Sequence, residues 1–136
     1  MKKVTNLLVA VMAVFVMASC AEKKSLESLN GEWNVVTIGE MAVPDSVDAF
    51  VGFNVAEQLI YGSTGCNQLT GAMPAEVNSE TLMFGAMGST RMMCADMTIE
   101  DAMLPAMSQV VDFKVDGTSL YLLDAVGNTV ISLEKR

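Results

Sequence analysis

The sequence predicts a mainly β, formally α+β domain: a small antiparallel barrel or sandwich with one helix packed against it. Two observations carry this expectation. Short β-rich runs recur along the chain, punctuated by Gly, Asn and Asp turn signals, which is the pattern of antiparallel barrels and sandwiches. A single segment has helical spacing, and a lone amphipathic helix in such a chain must bury its apolar face on the sheet.

The first element is an address rather than part of the fold. Lys2 and Lys3 precede an unbroken apolar run over residues 7–18. Twelve helical residues span about 18 Å, short of a hydrocarbon core of about 30 Å, so the run reads as a secretory signal. It ends in Ala18-Ser19-Cys20, which resembles the lipobox of bacterial lipoproteins, with Met17 where leucine is usual. That resemblance implies removal of residues 1–19 and acylation of Cys20. An ordinary signal peptide would instead leave an odd thiol in an oxidising compartment. Residues 20–28 then form the lipidated cysteine and a polar tether, and residues 29–136 the globular domain. Ala21 follows the cysteine, with no aspartate there. By the enterobacterial sorting rule this places the protein at the outer membrane, facing the periplasm.

The strands come next. Residues 32–38 (EWNVVTI) alternate, with Trp33, Val35 and Thr37 on one face. Residues 41–49 read as a loop around Pro44-Asp45. Residues 50–54, 57–61 and 81–84 are short strand candidates, and residues 62–71 read as a turn-rich crossing. Residues 113–115 and 119–123 flank Asp116-Gly117-Thr118 as a hairpin, and residues 129–133 follow Gly127-Asn128 as the last strand. The helix is marked by Ile99, Met103, Met107, Val110 and Val111, with Glu100, Asp101 and Asp112 outside that stripe. Thr98 with Asp101 fits a capping-box-like start. Pro105 inside the segment predicts a kink or irregularity.

Composition narrows the function. The mature chain of 117 residues is enough for one domain with a real core. It carries six basic against sixteen acidic residues, a net charge of −10. Such acidity argues against nucleic acid and against binding anionic headgroups through the protein surface. Membrane attachment therefore falls to the lipid on Cys20. Enzyme chemistry finds little support. Histidine is absent, no serine sits in a G-x-S-x-G elbow, and no glycine-rich phosphate loop occurs. Zinc lacks a ligand set, with no histidine and only two further cysteines.

Three stretches carry a family resemblance: TGCNQLTG (residues 64–71), STRMMC (residues 89–94) with the helix opening at Glu100, and the strand pair GTSLYLLD and NTVISLEKR. With Gly31-x-Trp33, they look like the META domain of the HslJ-like heat-shock lipoproteins. Ala95 stands where the family often has proline. The resemblance implies a cracked β-barrel with a helix against it, similar to some secretion pilotins. It also implies a non-enzymatic, stress-related role without a cofactor.

Cys66 and Cys94 remain as an isolated pair. An oxidising compartment favours a structural disulfide, against two buried thiols or a redox pair; no C-x-x-C motif supports the last. Asn67, Gln68, Thr70 and Thr90 read as side chains that satisfy backbone groups at a turn. Arg91 is the one arginine within the body of the domain, suited to a salt bridge or to a partner contact. Seven of the twelve methionines lie between Met83 and Met107. Thioethers near a thiolate suit Cu(I), yet histidine and a compact methionine array are both missing. A flexible core or hydrophobic groove is the favoured reading. Arg91, Met92, Met93, Met103 and Met107 form the expected binding surface.

Three functions follow as expectations: a stress-related binding module for an apolar ligand or envelope protein, a pilotin-like assembly or structural lipoprotein, and a copper-responsive lipoprotein.

Overall fold

Strand β1 (Gly31–Ile38) runs through the middle of the molecule, with Trp33, Val35 and Ile38 buried. The description that follows is of a computed structural model and covers residues 26–73, 84 and 87–136. The signal peptide, Cys20, most of the tether and residues 81–83 lie outside the described residues. A 3-10 turn, Leu26–Leu29, precedes β1 and buries both leucines. The packed domain is therefore already under way before Leu29.

β1 has three antiparallel partners. One is the two-residue β2 (Met41–Ala42), the second is β3 (Ala49–Asn54), and the third is β9 (Thr129–Lys135). From β3 the sheet continues through β4 (Leu59–Thr64) and β5 (Gln68–Ala72) to β6 (Gly88–Ser89). From β9 it continues through β8 (Ser119–Leu123) to β7 (Asp112–Asp116). β6 and β7 are the two ends of this path and are not paired with each other. The sheet is thus an open, cracked barrel.

The pattern of side chains explains the curl. Val51 and Phe53 from β3, Ile60 from β4, Leu69 from β5, Leu120 and Leu122 from β8, and Ile131 and Leu133 from β9 all point to one buried face. In β1 the register against β9 shifts between Val35 and Thr37. This bulge resets the alternation, so Ile38 is buried where strict period two would expose it. The β7–β8 hairpin turns through Gly117-Thr118, and Gly117 supplies the positive φ of +60° that a two-residue turn needs.

The helix α1 (Thr98–Ser108) lies against β9, β1 and β4 and so bridges both halves of the sheet. Ile99, Met103 and Met107 face inward as the stripe predicts, joined by Ala106, whereas Val110 and Val111 lie beyond the last helical residue, Ser108. Helical structure is continuous through Pro105. The capping-box expectation is corrected: Thr98 is the first helical residue, and the residue before it, Met97, makes no side-chain cap. Asp96 serves instead, its Oδ1 accepting from the Thr98 N–H at 2.9 Å. A second correction concerns residues 62–71. Most of that polar stretch is strand, and only residues 65–67 turn.

Where β1 begins beside the end of β9, the Lys135 ammonium donates to the Asn30 carbonyl at 2.6 Å and sits 4.6 Å over the Trp33 ring. Trp33 itself donates its indole N–H to Leu29 O at 2.8 Å, which pins the 3-10 turn to the sheet. No described helix is long and apolar enough to cross a membrane.

Candidate functional site

The β4–β5 turn, the segment from β6 to α1 and the first turn of α1 meet at one corner of the barrel. Three residues set the turn. Thr64 ends β4, Gly65 takes φ +89°, and Asn67 is 2% exposed. The Thr64 hydroxyl accepts from the backbone N–H of Cys66 at 3.3 Å and of Asn67 at 3.0 Å. Its own proton goes to Glu100 Oε1 at 3.0 Å, the shorter of its two acceptor contacts.

Asn67 is the hub. Its amide nitrogen donates to Glu100 Oε1 at 2.6 Å and to the Met92 carbonyl at 3.0 Å. Its amide oxygen accepts from the Met92 N–H at 2.6 Å and from the Thr90 hydroxyl at 2.9 Å. Thr90 and Gln68 are also tied, through Thr90 N–H to Gln68 O at 3.1 Å and Gln68 N–H to Thr90 Oγ1 at 3.0 Å. Cys66 and Cys94 are joined by a disulfide with Cα atoms 6.0 Å apart. The segment after β6 is therefore fastened at residues 90, 92 and 94. A carboxylate buried to 7% exposure at the positive end of a helix completes the cluster. Every buried side-chain nitrogen or oxygen among the described residues has a partner.

The sequence named most of these residues without assembling them. Glu100 was placed outside the apolar stripe, and its burial follows from polar partners rather than from periodicity. The signal was present, since TGCN and the helix opening with Glu100 both belong to the motif. The arrangement positions backbone and presents no nucleophile beside a base. Among the described residues no group of three or more His, Cys, Asp or Glu side chains could hold a metal.

The expected binding surface divides. Arg91 is exposed and makes no ion pair with a described residue. Met92 and Met93 are 56% and 90% exposed. Met103 is fully buried and belongs to the core, because its position on α1 faces the sheet. Met107 is buried too, but it forms part of the wall of a neighbouring groove.

That groove runs between α1 and the β5–β6 edge, with a volume of about 500 Å³. Leu69, Phe84, Met87, Leu104 and Met107 supply its apolar walls, with Ser89 and Ser108 at its polar parts. Phe84 leans on the core, its ring 6.2 Å from that of Phe53. Leu104, Met87 and Phe84 are only partly buried. Sequence reasoning missed Leu69, Phe84 and Leu104, since nothing in the strand or helix pattern marks which apolar residues border an opening.

The model of the META domain matches residues 24–136. No curated protein matches the chain. Solved structures are similar in fold. An NMR structure of a protein from Burkholderia xenovorans has a TM-score of 0.64 at 18% identity and covers 88% of this chain and 99% of its own. A crystal structure of a duf4847 family protein from Bacteroides vulgatus ATCC 8482 has a TM-score of 0.58 at 15% identity and covers 79% and 94%. A further NMR structure has a TM-score of 0.60 at 18% identity and covers 78% and 89%.

Proposed function

The chain belongs to the META-domain family, and on that premise we propose that it is a non-enzymatic, stress-related lipoprotein of the cell envelope whose domain binds an apolar ligand. The observation that carries the reading is the groove beside α1. Its volume of about 500 Å³ lies within the range of small-molecule sites, and its walls are apolar. Methionine and leucine side chains there can repack around ligands of varied shape. The anchor at Cys20 and the expected outer-membrane address keep such a site close to acyl chains.

Native mass spectrometry of the protein extracted from its own membrane tests this. A bound apolar molecule is expected, and it should be lost in Leu104→Gln while the fold is retained. An empty wild-type protein would sink the binding reading. Intact mass from the same preparation tests the anchor, since an unmodified Cys20 would remove it.

A second reading, a pilotin-like assembly factor, is supported by the exposure of Met92 and Met93 on a fastened segment. Methionine and arginine are enriched at protein interfaces. An envelope protein that stays bound through purification, and is released by Met93→Asp, would favour it.

A further inference from the structure

We propose that Met92 and Met93 form a sacrificial oxidant-accepting site, in which the two surface thioethers take up oxygen from a two-electron oxidant while the rest of the protein is spared. The proposal rests on the inventory of oxidisable groups in the domain. Histidine is absent. The one tryptophan, Trp33, is 1% exposed, and Cys66 and Cys94 are already bonded to each other. Methionine sulfur is then the principal soft nucleophile left among the described residues.

Exposure sorts the methionines sharply. Met93 is 90% exposed and Met92 56%, whereas Met73, Met103 and Met107 are at 4%, 0% and 2%. Met41, Met87 and Met97 fall between these groups. Oxidation at a buried methionine places a polar sulfoxide in the core and disrupts packing. At Met92 and Met93 it does not, for a reason visible in the geometry. The segment's position is set by Met92 backbone atoms on Asn67 and by the Cys94 disulfide, not by the thioether side chains. The site can thus change its chemistry without changing its shape.

The chemistry balances with an oxidant of the hypohalous acid class. With hypochlorous acid, the thioether sulfur gives up two electrons and gains an S=O bond. The O–Cl bond breaks, chloride leaves and the proton passes to water. A dithiol-dependent methionine sulfoxide reductase reverses the change, removing the oxygen as water and ending as its own disulfide. The site is exposed enough for such an enzyme to reach.

The test uses the folded full-length lipoprotein, with its disulfide intact, and limiting hypochlorous acid, followed by peptide mapping. The first oxygen atoms are expected on the peptide holding Met92 and Met93, with the near-UV circular dichroism and thermal midpoint unchanged. In Met92→Leu/Met93→Leu, which keeps the apolar volume, the first oxidation should be several-fold slower and should move to the partly buried methionines. Treatment with a methionine sulfoxide reductase and dithiothreitol should restore the original mass. Oxygen spread evenly over the methionines, earlier attack at Met103 or Met107, or loss of the Cys66–Cys94 bond before Met93 reacts would each overturn the proposal. So would sulfoxides that the reductase leaves in place. The outcome is independent of whether the groove beside α1 holds a ligand.

Discussion

The side-chain amide of Asn67 pairs with both backbone groups of Met92, accepting from its N–H at 2.6 Å and donating to its carbonyl at 3.0 Å. One side chain thus replaces a missing strand partner for a residue 25 positions away in sequence. The same amide reaches the buried Glu100 carboxylate, so strand turn, connecting segment and helix share one anchor.

Asn67→Ala should lower stability by about 2–4 kcal/mol, because it strips partners from the Met92 backbone and from Glu100 at once. Asn67→Asp should be no milder, since it sets a second carboxylate against Glu100 and removes the donor. Urea unfolding monitored by Trp33 fluorescence measures both.

Cys66→Ser and Cys94→Ser should each cost about 2–5 kcal/mol, and the double variant little more, because they break one bond. The combination with Asn67→Ala should be non-additive, as bond and amide fasten the same segment. Additive losses, or alkylation of free thiols in the native protein, would count against the disulfide.

Met103→Ala and Leu104→Ala should separate core from groove. Met103 is fully buried on the inward face of α1, and its truncation should cost about 2–5 kcal/mol. Leu104 is only partly buried and borders the groove, so truncation there should cost less and instead weaken binding of a fluorescent fatty-acid probe. Equal stability losses would mean the groove is part of the core.

Tyr61 should titrate above its ordinary value of 10.0, raised first by burial and then by its hydrogen bond to Glu32. The phenol donates to Glu32 Oε2 at 3.1 Å, and the folded state holds the proton more tightly than the unfolded chain. Its contribution to stability is therefore full below pH 10.0 and declines as pH rises through the folded value. Absorbance titration at the phenolate band should show the shift shrink in Glu32→Gln.

Asp96 should behave in the opposite sense. The Thr98 hydroxyl and then the Thr98 backbone N–H hold its carboxyl below the ordinary 3.8. Its contribution is present above that pH and lost as pH falls through the folded value. Asp96→Ala should fray the first turn of α1, read as faster amide exchange at Ile99 and Glu100, and should flatten the acid limb of the stability curve.

Much of the fold was legible because short apolar runs and the turn residues beside them mark strands. Phe50–Asn54 shows as an apolar run, and Ser119–Leu123 and Thr129–Leu133 show by the Gly-containing turns before them, each within a residue or two of its ends. Gln68–Ala72 was hidden because the TGCNQLTG stretch is rich in turn residues, although its Leu69 alone points inward. The polar corner was the least legible. Asn67 and Glu100 are buried by each other, and no periodicity announces a pair of polar residues that meet only after the chain has folded. Met92 and Met103 look alike in sequence, yet the one projects from a fastened segment and the other sits on the inward face of α1. Spacing alone could not separate them.

The pairing of β1 with β9 has a kinetic consequence. Trp33 faces Lys135 across the seam at the centre of the sheet, about 100 positions away, and such distant pairings form late and slowly. Until β9 is in place, β3 to β6 and β7 to β8 have no common edge, and the helix has only part of the surface it covers. The chain must therefore stay unfinished through synthesis and any transport that precedes release of its last strand. The complete sheet can assemble only once that strand is free to join it.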